Sequence, residues 1–515
     1  MHAPELKRPA CVPLETWSPV HPAALAWSRA ELELAGSEGP SPERSPGLAD
    51  ALAASNRKWG HEVGGEMNRW LAGAEVVVAG QQPGLFGGPL LTLVKAATVA
   101  AEVRRRRRAG REAVGFFWLA TTDDDLPEMG WGRLAVGGQT LEIRIPGERG
   151  ARMGGSLVLG PECETFLADL EERCAGEFCS VATALAADCY GSGATLADAT
   201  GSFLAALLAQ TGVILVDARL PQLAQAGGSV VTAILKNLPA AWEALSEGAH
   251  GFERRGWPVP LRLDRGRLPV FRVEGAVRRR LGSDQGRCPG EVLALLEEDP
   301  QQFVPNVWLR PLVQDAALGS DLAILGGAEL AYHLQAAPLW PLVGLRRPQW
   351  RLRPHVTVFT PGDRQLMSQL HLGPADLLRR QPPRRVVGGS ATRKRLDRLR
   401  SQLETGLTAA AEAAREELPA LQGDLDATAR KLSAALEWLE RRAERAAAAR
   451  QDTAIARWHR LQAFLRPDGK PQERRLSVLA PLLRLGLEWP GKLIDALDPE
   501  HSGMQLLFQE EGGVW

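Results

Sequence analysis

Residues 75–128 change hydrophobic period twice, and those changes mark out a β-α-β unit. Glu75 to Ala79 is a short β-branched run that reads as a strand. It leads into a glycine-rich turn, Gly80-Gln81-Gln82-Pro83-Gly84-Leu85-Phe86-Gly87-Gly88-Pro89. Leu90 to Arg108 then reads as a helix whose arginines at 104 to 108 suit the negative end of the dipole, before Gly110 stops it. A second strand, Gly115 to Ala120, runs into Thr121-Thr122-Asp123-Asp124-Asp125. Parallel strands joined by a right-handed crossover put both following loops on one sheet edge. Ligands in open α/β sheets bind at that edge, so the glycine turn and the aspartates are expected to face one site.

The flanking patterns extend this unit. Met1 to roughly Arg57 is rich in proline, alanine and tryptophan and carries no sheet signal; Trp17, Trp27 and the run from Ala51 to Trp59 suggest short helices packing on the next domain. Arg133 to Leu159 alternates as antiparallel strands do, and Glu162 to Leu208 is helical with breaks near Gly191 and Gly193. Gly212 to Val216 is a further strand ending at Asp217, and Gln222 to Leu245 is helical. Short strands with proline follow from Gly256 to Val273, then a short helix from Gly290 to Glu298. Asn306–Leu309, Leu322–Leu325, Leu342–Leu345 and His355–Phe359 read as strands, with a helix from Ala328 to Gln335 after Gly326-Gly327.

Beyond Val387 the composition shifts to Ala, Leu, Arg and Glu. Leu396, Leu399 and Leu403, then Leu421, Leu425, Leu432 and Leu439, form an apolar seam interrupted by Pro419, which argues for two helices. An antiparallel hairpin and a dimerising coiled coil both fit. The expected organisation is an N-terminal helical segment (1–70), an α/β core with accessory insertions (71–387), a helical coiled coil (388–465) and a C-terminal segment (466–515) that returns to the core or the coiled coil.

Composition narrows the function. A length of 515 residues implies two to four domains, and 45% hydrophobic with 24% charged residues is ordinary for a globular protein. Lys plus Arg equals Asp plus Glu at 61 each, so no net charge points to nucleic acid or a membrane surface. Cys11, Cys163, Cys174, Cys179, Cys189 and Cys288 form no tight zinc pattern, and most of them read as reduced, buried or inert thiols. With no leader-like start and no apolar run of spanning length, the expectation is a cytoplasmic protein.

The candidate chemistry sits at strand ends. The turn between strand and helix brings backbone amides and the helix N-terminus toward an anion, but it matches neither the dinucleotide nor the P-loop spacing, so anion binding and a structural turn both stay open. Gln81 and Gln82 add amide groups, and Lys95 in the second helical turn is within reach of an anion or is a solvated lysine. Three adjacent carboxylates, Asp123 to Asp125, need a counter-charge from a cation, a substrate amine or arginines. Asp217 ends a strand and binds a ligand or caps the next helix. Arg310, Gln314, Gly326, Gly327 and Glu329 follow strands in the same way, while His333 reads as a packed residue.

Together these blocks resemble the bacillithiol-synthesis cysteine-adding enzymes. The resemblance rests on Gly80-Gln81-Gln82 with Gly84-Leu85, Gly88-Pro89-Leu90 and Lys95, and on Phe117-Trp118-Leu119-Ala120 leading to Asp123, Asp125 and Glu128. Leu309-Arg310-Pro311-Leu312, Gln314-Asp315, Gly326-Gly327 with Glu329 and Tyr332, and Pro467, Gly469 and Gln472-Glu473-Arg474 continue it in order, over roughly residues 76 to 510. It implies a Rossmann-like α/β core with accessory segments and a C-terminal α-helical coiled-coil domain; a homodimer through the coiled coil is the expected assembly. It also implies a ligase joining the carboxyl of cysteine to the amine of glucosaminyl malate. Amide formation from a free carboxylate is uphill in water, so ATP and magnesium are the expected activators; no metal ligands are assigned. In that reading Asp123 and Asp125 are catalytic. The glycine turn, Lys95 and Arg310 hold anions, Gln81, Gln82 and Gln314 suit sugar hydroxyls, Glu329 suits the cysteine ammonium, and Trp118, Asp217, Gly326, Gly327 and Tyr332 complete the binding set.

One departure stands out. Where the family usually reads Gly-Glu-Asp-His-Asp, this chain has Thr121-Thr122-Asp123-Asp124-Asp125, which removes the natural proton carrier from that position. Two other readings therefore stay open: a related nucleotide-using, amide-forming enzyme with another amino-sugar substrate, and a non-catalytic coiled-coil scaffold.

Overall fold

The β-branched run at 75–81 forms the middle of a five-stranded sheet, because strands are recruited to both of its edges. The computed structural model describes residues 10–17, 19–34, 39–146, 152–174, 176–282, 288–379 and 391–508. The strands are β1 (Glu75–Gln81), β2 (Ala113–Leu119), β3 (Val213–Asp217), β4 (Leu322–Leu325) and β5 (Gln349–Leu352), in the spatial order β5-β4-β1-β2-β3. Every neighbouring pair is parallel. All seven residues of β2 are buried, as expected of a parallel strand covered on both faces. Helix α1 (Leu91–Arg108) packs on β1 and β2, close enough that a Cβ at Gly115 would lie 2.6 Å from Val99 Cγ1. The arginines at its end are paired: Arg106 with Glu102 and Glu75, and Arg107 with Glu66.

A compact unit formed by Met1–Pro361 and Lys470–Trp515 contains this sheet. Within it β6 (His355–Phe359) and β7 (Met504–Phe508) pair in parallel, and Ala10–Val12 adds to β7 antiparallel. The N-terminal stretch, read as having no sheet signal, thus supplies an edge strand; three residues are too few for a period to show. An antiparallel hairpin (Trp131–Val136 with Gln139–Arg144) and a three-stranded accessory sheet (Arg267–Glu274, Val277–Gly282 and Phe303–Pro305) complete the strands used below.

Several expected elements shift. Asn306–Leu309 is a turn, since the Asn306 side chain accepts from the amides of Trp308 (3.2 Å) and Leu309 (3.1 Å) and launches helix α3 (Arg310–Leu318). Leu342–Leu345 is the end of a helical turn closed by Gly344 at φ 71°, and the strand is Gln349–Leu352 instead. Short apolar runs do not distinguish a buried turn from a strand. In 133–159 the described antiparallel ladder ends at Arg144, with a further isolated antiparallel bridge from Val158 to Thr195; the strand expected from Gly256 begins only at Arg267, and Gln222–Leu245 is two helices, α2 (Pro221–Lys236) and Leu238–Glu253, broken at Asn237 ahead of Pro239. The expected core boundary near Val387 lies outside the described residues.

Gly362–Gly469 forms a second compact unit. Its helices α5 (Ala391–Glu417) and α6 (Gln422–Leu465) are separated at Pro419. Arg400 pairs with Glu440 and Arg393 with Glu444, a descending register that makes α5 and α6 an antiparallel hairpin within the chain. Among the described residues no helix is long and apolar enough to cross a membrane.

Candidate active site

Lys95 faces the sheet from the second turn of α1 and is only 3% exposed. A buried ammonium needs three acceptors, and three are present. Its Nζ donates to Gly80 O (2.7 Å), Gln81 Oε1 (2.9 Å) and Glu329 Oε2 (2.6 Å). These acceptors lie at the C-terminal end of β1 and just past that of β4, adjacent strands whose onward connections diverge. That is the switch point where an open α/β sheet leaves a crevice. Burial lowers the Lys95 pKa below its ordinary value, against the opposing pull of Glu329.

Glu329 belongs to the first turn of α4 (Gly327–Ala336), and its Oε2 also accepts from Gly326 N at 2.7 Å. Burial raises its pKa, but Lys95 and the Gly326 amide outweigh that and hold the carboxyl below its usual range. The glycines here permit close approach. A Cβ at Gly80 would lie 2.8 Å from Trp118 O, and one at Gly327 would lie 2.9 Å from Val20 Cγ1.

Arg310 opens α3, and its guanidinium is held by neutral groups: Nη2 donates to Tyr332 OH (2.9 Å) and Nη1 to Gln314 Oε1 (3.2 Å). No carboxylate forms an ion pair with it among the described residues, which leaves further donors for an anion. Burial would lower its pKa, but Tyr332, Glu329 and Asp123 nearby keep it raised. Burial pushes the Tyr332 phenol up to about 12, so it stays protonated at neutral pH. His333 is packed: Nδ1 lies 2.7 Å from Glu329 O, the ring stacks on Tyr332, and burial lowers its pKa to about 3.

The aspartates after β2 divide into different roles. Asp123, a third exposed, accepts from Gln82 Nε2 at 2.8 Å, which brings the glycine turn and the β2 loop together as expected. Asp124 accepts from Arg278 Nη2 at 2.6 Å, while Arg278 Nη1 is 3.9 Å from Asp123. Arg278, from Val277–Gly282 of the accessory sheet, is thus the counter-charge that the cluster requires, with its guanidinium carbon 4.5 Å from the Phe271 ring centre. Asp125 is the N-cap residue of Leu126–Met129. Asp217 is engaged by protein on both oxygens, from Thr121 Oγ1 (2.5 Å) and from Arg219 Nε (3.0 Å) and Nη2 (2.6 Å). Trp118 is buried, and its Nε1 has no hydrogen-bond partner among the described residues.

The glycine turn spends its amides internally. Gly84 N donates to Thr200 Oγ1 (3.2 Å), Gly87 N to Tyr190 OH (2.7 Å) and Leu90 N to Leu476 O (2.7 Å). Gly88 N turns back to Gly84 O at 3.1 Å, with Gly88 at φ 70°. The cations that reach the crevice are therefore side chains, Lys95 and Arg310, rather than the turn's amides. Among the described residues no three His, Cys, Asp or Glu side chains converge as metal ligands. The thiols of Cys163 and Cys179 are pushed up to about 12, chiefly by burial, which leaves them inert.

The C-terminal segment supplies groups that were not assigned from the sequence. Glu473 is fully buried and accepts from Arg353 Nη1 (2.9 Å) and Nη2 (2.7 Å), His355 Nδ1 (2.7 Å) and Val356 N (2.9 Å). Burial works against its charge, but Arg353 and His355 hold it far below the usual carboxylate range. Gln472 bonds both the amide (2.9 Å) and the carbonyl (3.2 Å) of Val358. The only signal for these groups was the conspicuous Gln-Glu-Arg block, whose partners lie about 115 residues upstream.

Comparison with known proteins agrees with this architecture. Residues 31–354 match the model for the bacillithiol biosynthesis BshC N-terminal Rossmann-like domain, and residues 356–509 that for the BshC C-terminal coiled-coil domain. Relatives named "Putative cysteine ligase BshC" include one from Thermus thermophilus, 29% identical over 86% of this chain and 90% of its own. Others are from Solibacter usitatus, 27% identical over 83% of each chain, and Shouchella clausii, 24% identical over 84% of each. With both family domains matched in order and an all-parallel sheet beneath them, the chain belongs to the bacillithiol biosynthesis BshC family.

Proposed function

We propose that this protein is a cysteine ligase that joins the carboxyl of cysteine to the amine of glucosaminyl malate, the last step of bacillithiol synthesis. The observation that carries the reading is the crevice at the ends of β1 and β4. There the Lys95–Glu329 pair lies beside Arg310, a guanidinium with neutral partners. Both substrates bring carboxylates and an amine, so a site that offers an unneutralised cation beside carboxylates suits them.

In this reading the carboxyl of cysteine is activated by ATP, whose phosphates and Mg²⁺ are part of the substrate complex. Magnesium is commonly held by one or two protein carboxylates together with phosphates, a demand that the part-exposed Asp123 suits without a dedicated cage. The amine nitrogen attacks the activated carboxyl carbon, the activating group departs with the C–O bond electrons, and the amine gives up a proton. Asp123, oriented by Gln82 and flanked by Arg278, accepts that proton or orients the amine, with Asp125 beside it. Glu329 binds the cysteine ammonium, Arg310 binds an anionic group, and Gln81 and Gln314 present amides to sugar hydroxyls. The same reading has the protein acting in the cytoplasm as a homodimer joined through the coiled coil, in keeping with exposed Leu418, Leu421, Leu432 and Trp438.

Mass spectrometry of protein incubated with cysteine, glucosaminyl malate, ATP and Mg²⁺, beside a control without ATP, tests the reading. A product with the mass of bacillithiol only in the presence of ATP is expected. Absence of that product from folded protein would overturn it.

A further inference from the structure

The segment from Gln472 to Val478 is laced between β6 and the turn that leads into α1. On one side Gln472 and Glu473 bond the backbone of β6 at Val358 and Val356. On the other, Leu90 N donates to Leu476 O (2.7 Å) and Val478 N to Gly88 O (3.0 Å), at the turn that leads into α1 and Lys95. Arg475 lies over the Trp131 ring at 4.3 Å. Between these anchors stands Arg474. Its neighbours on either side in the chain are fixed, yet its own side chain is exposed and makes no hydrogen bond or ion pair among the described residues.

The charges around it are those of the site. Arg474 lies within electrostatic reach of Arg353, Glu473, Glu128 and Glu329, the last being the partner of Lys95. An arginine held at its base by a buried four-donor carboxylate, but free at its tip, is built to meet something absent from the free protein. The guanidinium fork suits a planar or tetrahedral oxyanion.

We propose that Arg474 is a substrate-binding residue of the crevice that recognises an oxyanion, carboxylate or phosphate, with Glu473 and Gln472 as its positioning residues. The inference rests on the ligase reading for the identity of the substrates, but not for the existence of the anion site. Buried Glu473 fixes the helical turn Gln472–Arg475 from below, so the backbone that carries Arg474 is set before anything binds. Arg310 and Arg474, both lacking a carboxylate partner, give the crevice two cations of different sequence origin for anionic groups.

The test compares wild type with Arg474→Ala and Arg474→Lys. Because the side chain is exposed, melting temperatures are expected to be unchanged. In the ligase assay Arg474→Ala raises KM for one anionic substrate by about 10- to 100-fold. A rise for glucosaminyl malate assigns the carboxylates, and a rise for ATP assigns the phosphates. Arg474→Lys recovers part of the loss, since it keeps the charge without the fork. Calorimetric titration with malate and with inorganic phosphate reads the site independently of turnover. Weaker binding of either probe by Arg474→Ala supports the proposal even if wild type makes no bacillithiol. Binding of both probes and KM values equal to wild type in Arg474→Ala, or no binding of either probe by wild type, overturns it.

Discussion

Lys95 Nζ and Glu329 Oε2 meet at 2.6 Å although 234 residues separate them, and the contact joins the two halves of the sheet at their point of divergence. Replacing Lys95 with Met leaves a carboxylate without its partner, at a cost of about 3 kcal/mol. Adding Glu329→Gln should restore most of that stability but no turnover. Urea titrations of the single and double variants, run beside the ligase assay, separate the two effects. Stability that stays low in the double variant would mean that packing, not charge, holds this junction.

Asp123 is more exposed than Asp124 beside it, and Gln82 holds it by a bond that an amide oxygen also accepts. Asp123→Asn is therefore expected to fold with an unchanged melting temperature and to lose turnover by at least about 100-fold. Wild-type rates in that variant would remove Asp123 from the reaction.

Glu473 is expected to be the most costly single carboxylate to change. Glu473→Gln leaves Arg353 buried without a counter-charge, a loss of about 3–5 kcal/mol at pH 7. Because the folded-state pKa is depressed, the ionised contribution is present above the unfolded pKa and is lost as pH falls toward the folded value. The stability gap between wild type and variant should therefore narrow below about pH 4. Chemical denaturation at pH 7 and at lower pH reads it, and a gap independent of pH would refute the charge argument.

Asp315 behaves in the opposite sense. It is buried in α3, accepts from Trp340 Nε1 at 2.9 Å, and burial pushes its pKa up to about 7. The folded state then holds a proton that the unfolded state has released between about pH 4 and pH 7, so its contribution to stability falls as pH rises through that window. Asp315→Asn should gain on wild type from pH 5 to pH 8 by up to about 1.4 kcal/mol per pH unit. Parallel stability curves for the two proteins would show that Asp315 is already ionised at low pH.

The parts legible in the sequence were those set by local period and local backbone need. The β1–turn–α1–β2 unit, the strand at Val213–Asp217 and the two helices either side of Pro419 form as expected, because each carries its own hydrophobic period and its own stop signals. The runs at 306–309 and 342–345 misled because so few apolar residues satisfy either period, and an Asn306 cap or a Gly344 stop decides between them. The strand at Ala10–Val12 was invisible, since it becomes a strand only by adding to β7.

The same division holds at the site. Sequence alone put Gly80, Gln81, Gln82, Asp123 and Glu329 at strand ends and Lys95 in the helix after the first of them, and parallel strands send their following loops to one edge; Arg310 was expected after a strand and instead follows the Asn306 turn. Only the tertiary structure decided their partners: that Lys95 takes Glu329, that Arg278 neutralises Asp124, that Tyr190 and Thr200 take amides of the turn, and that Glu473 takes Arg353 and His355. Those choices depend on burial, which makes each charge or amide find an acceptor wherever the fold brings one within 3 Å or so, and sequence distance has no part in that requirement.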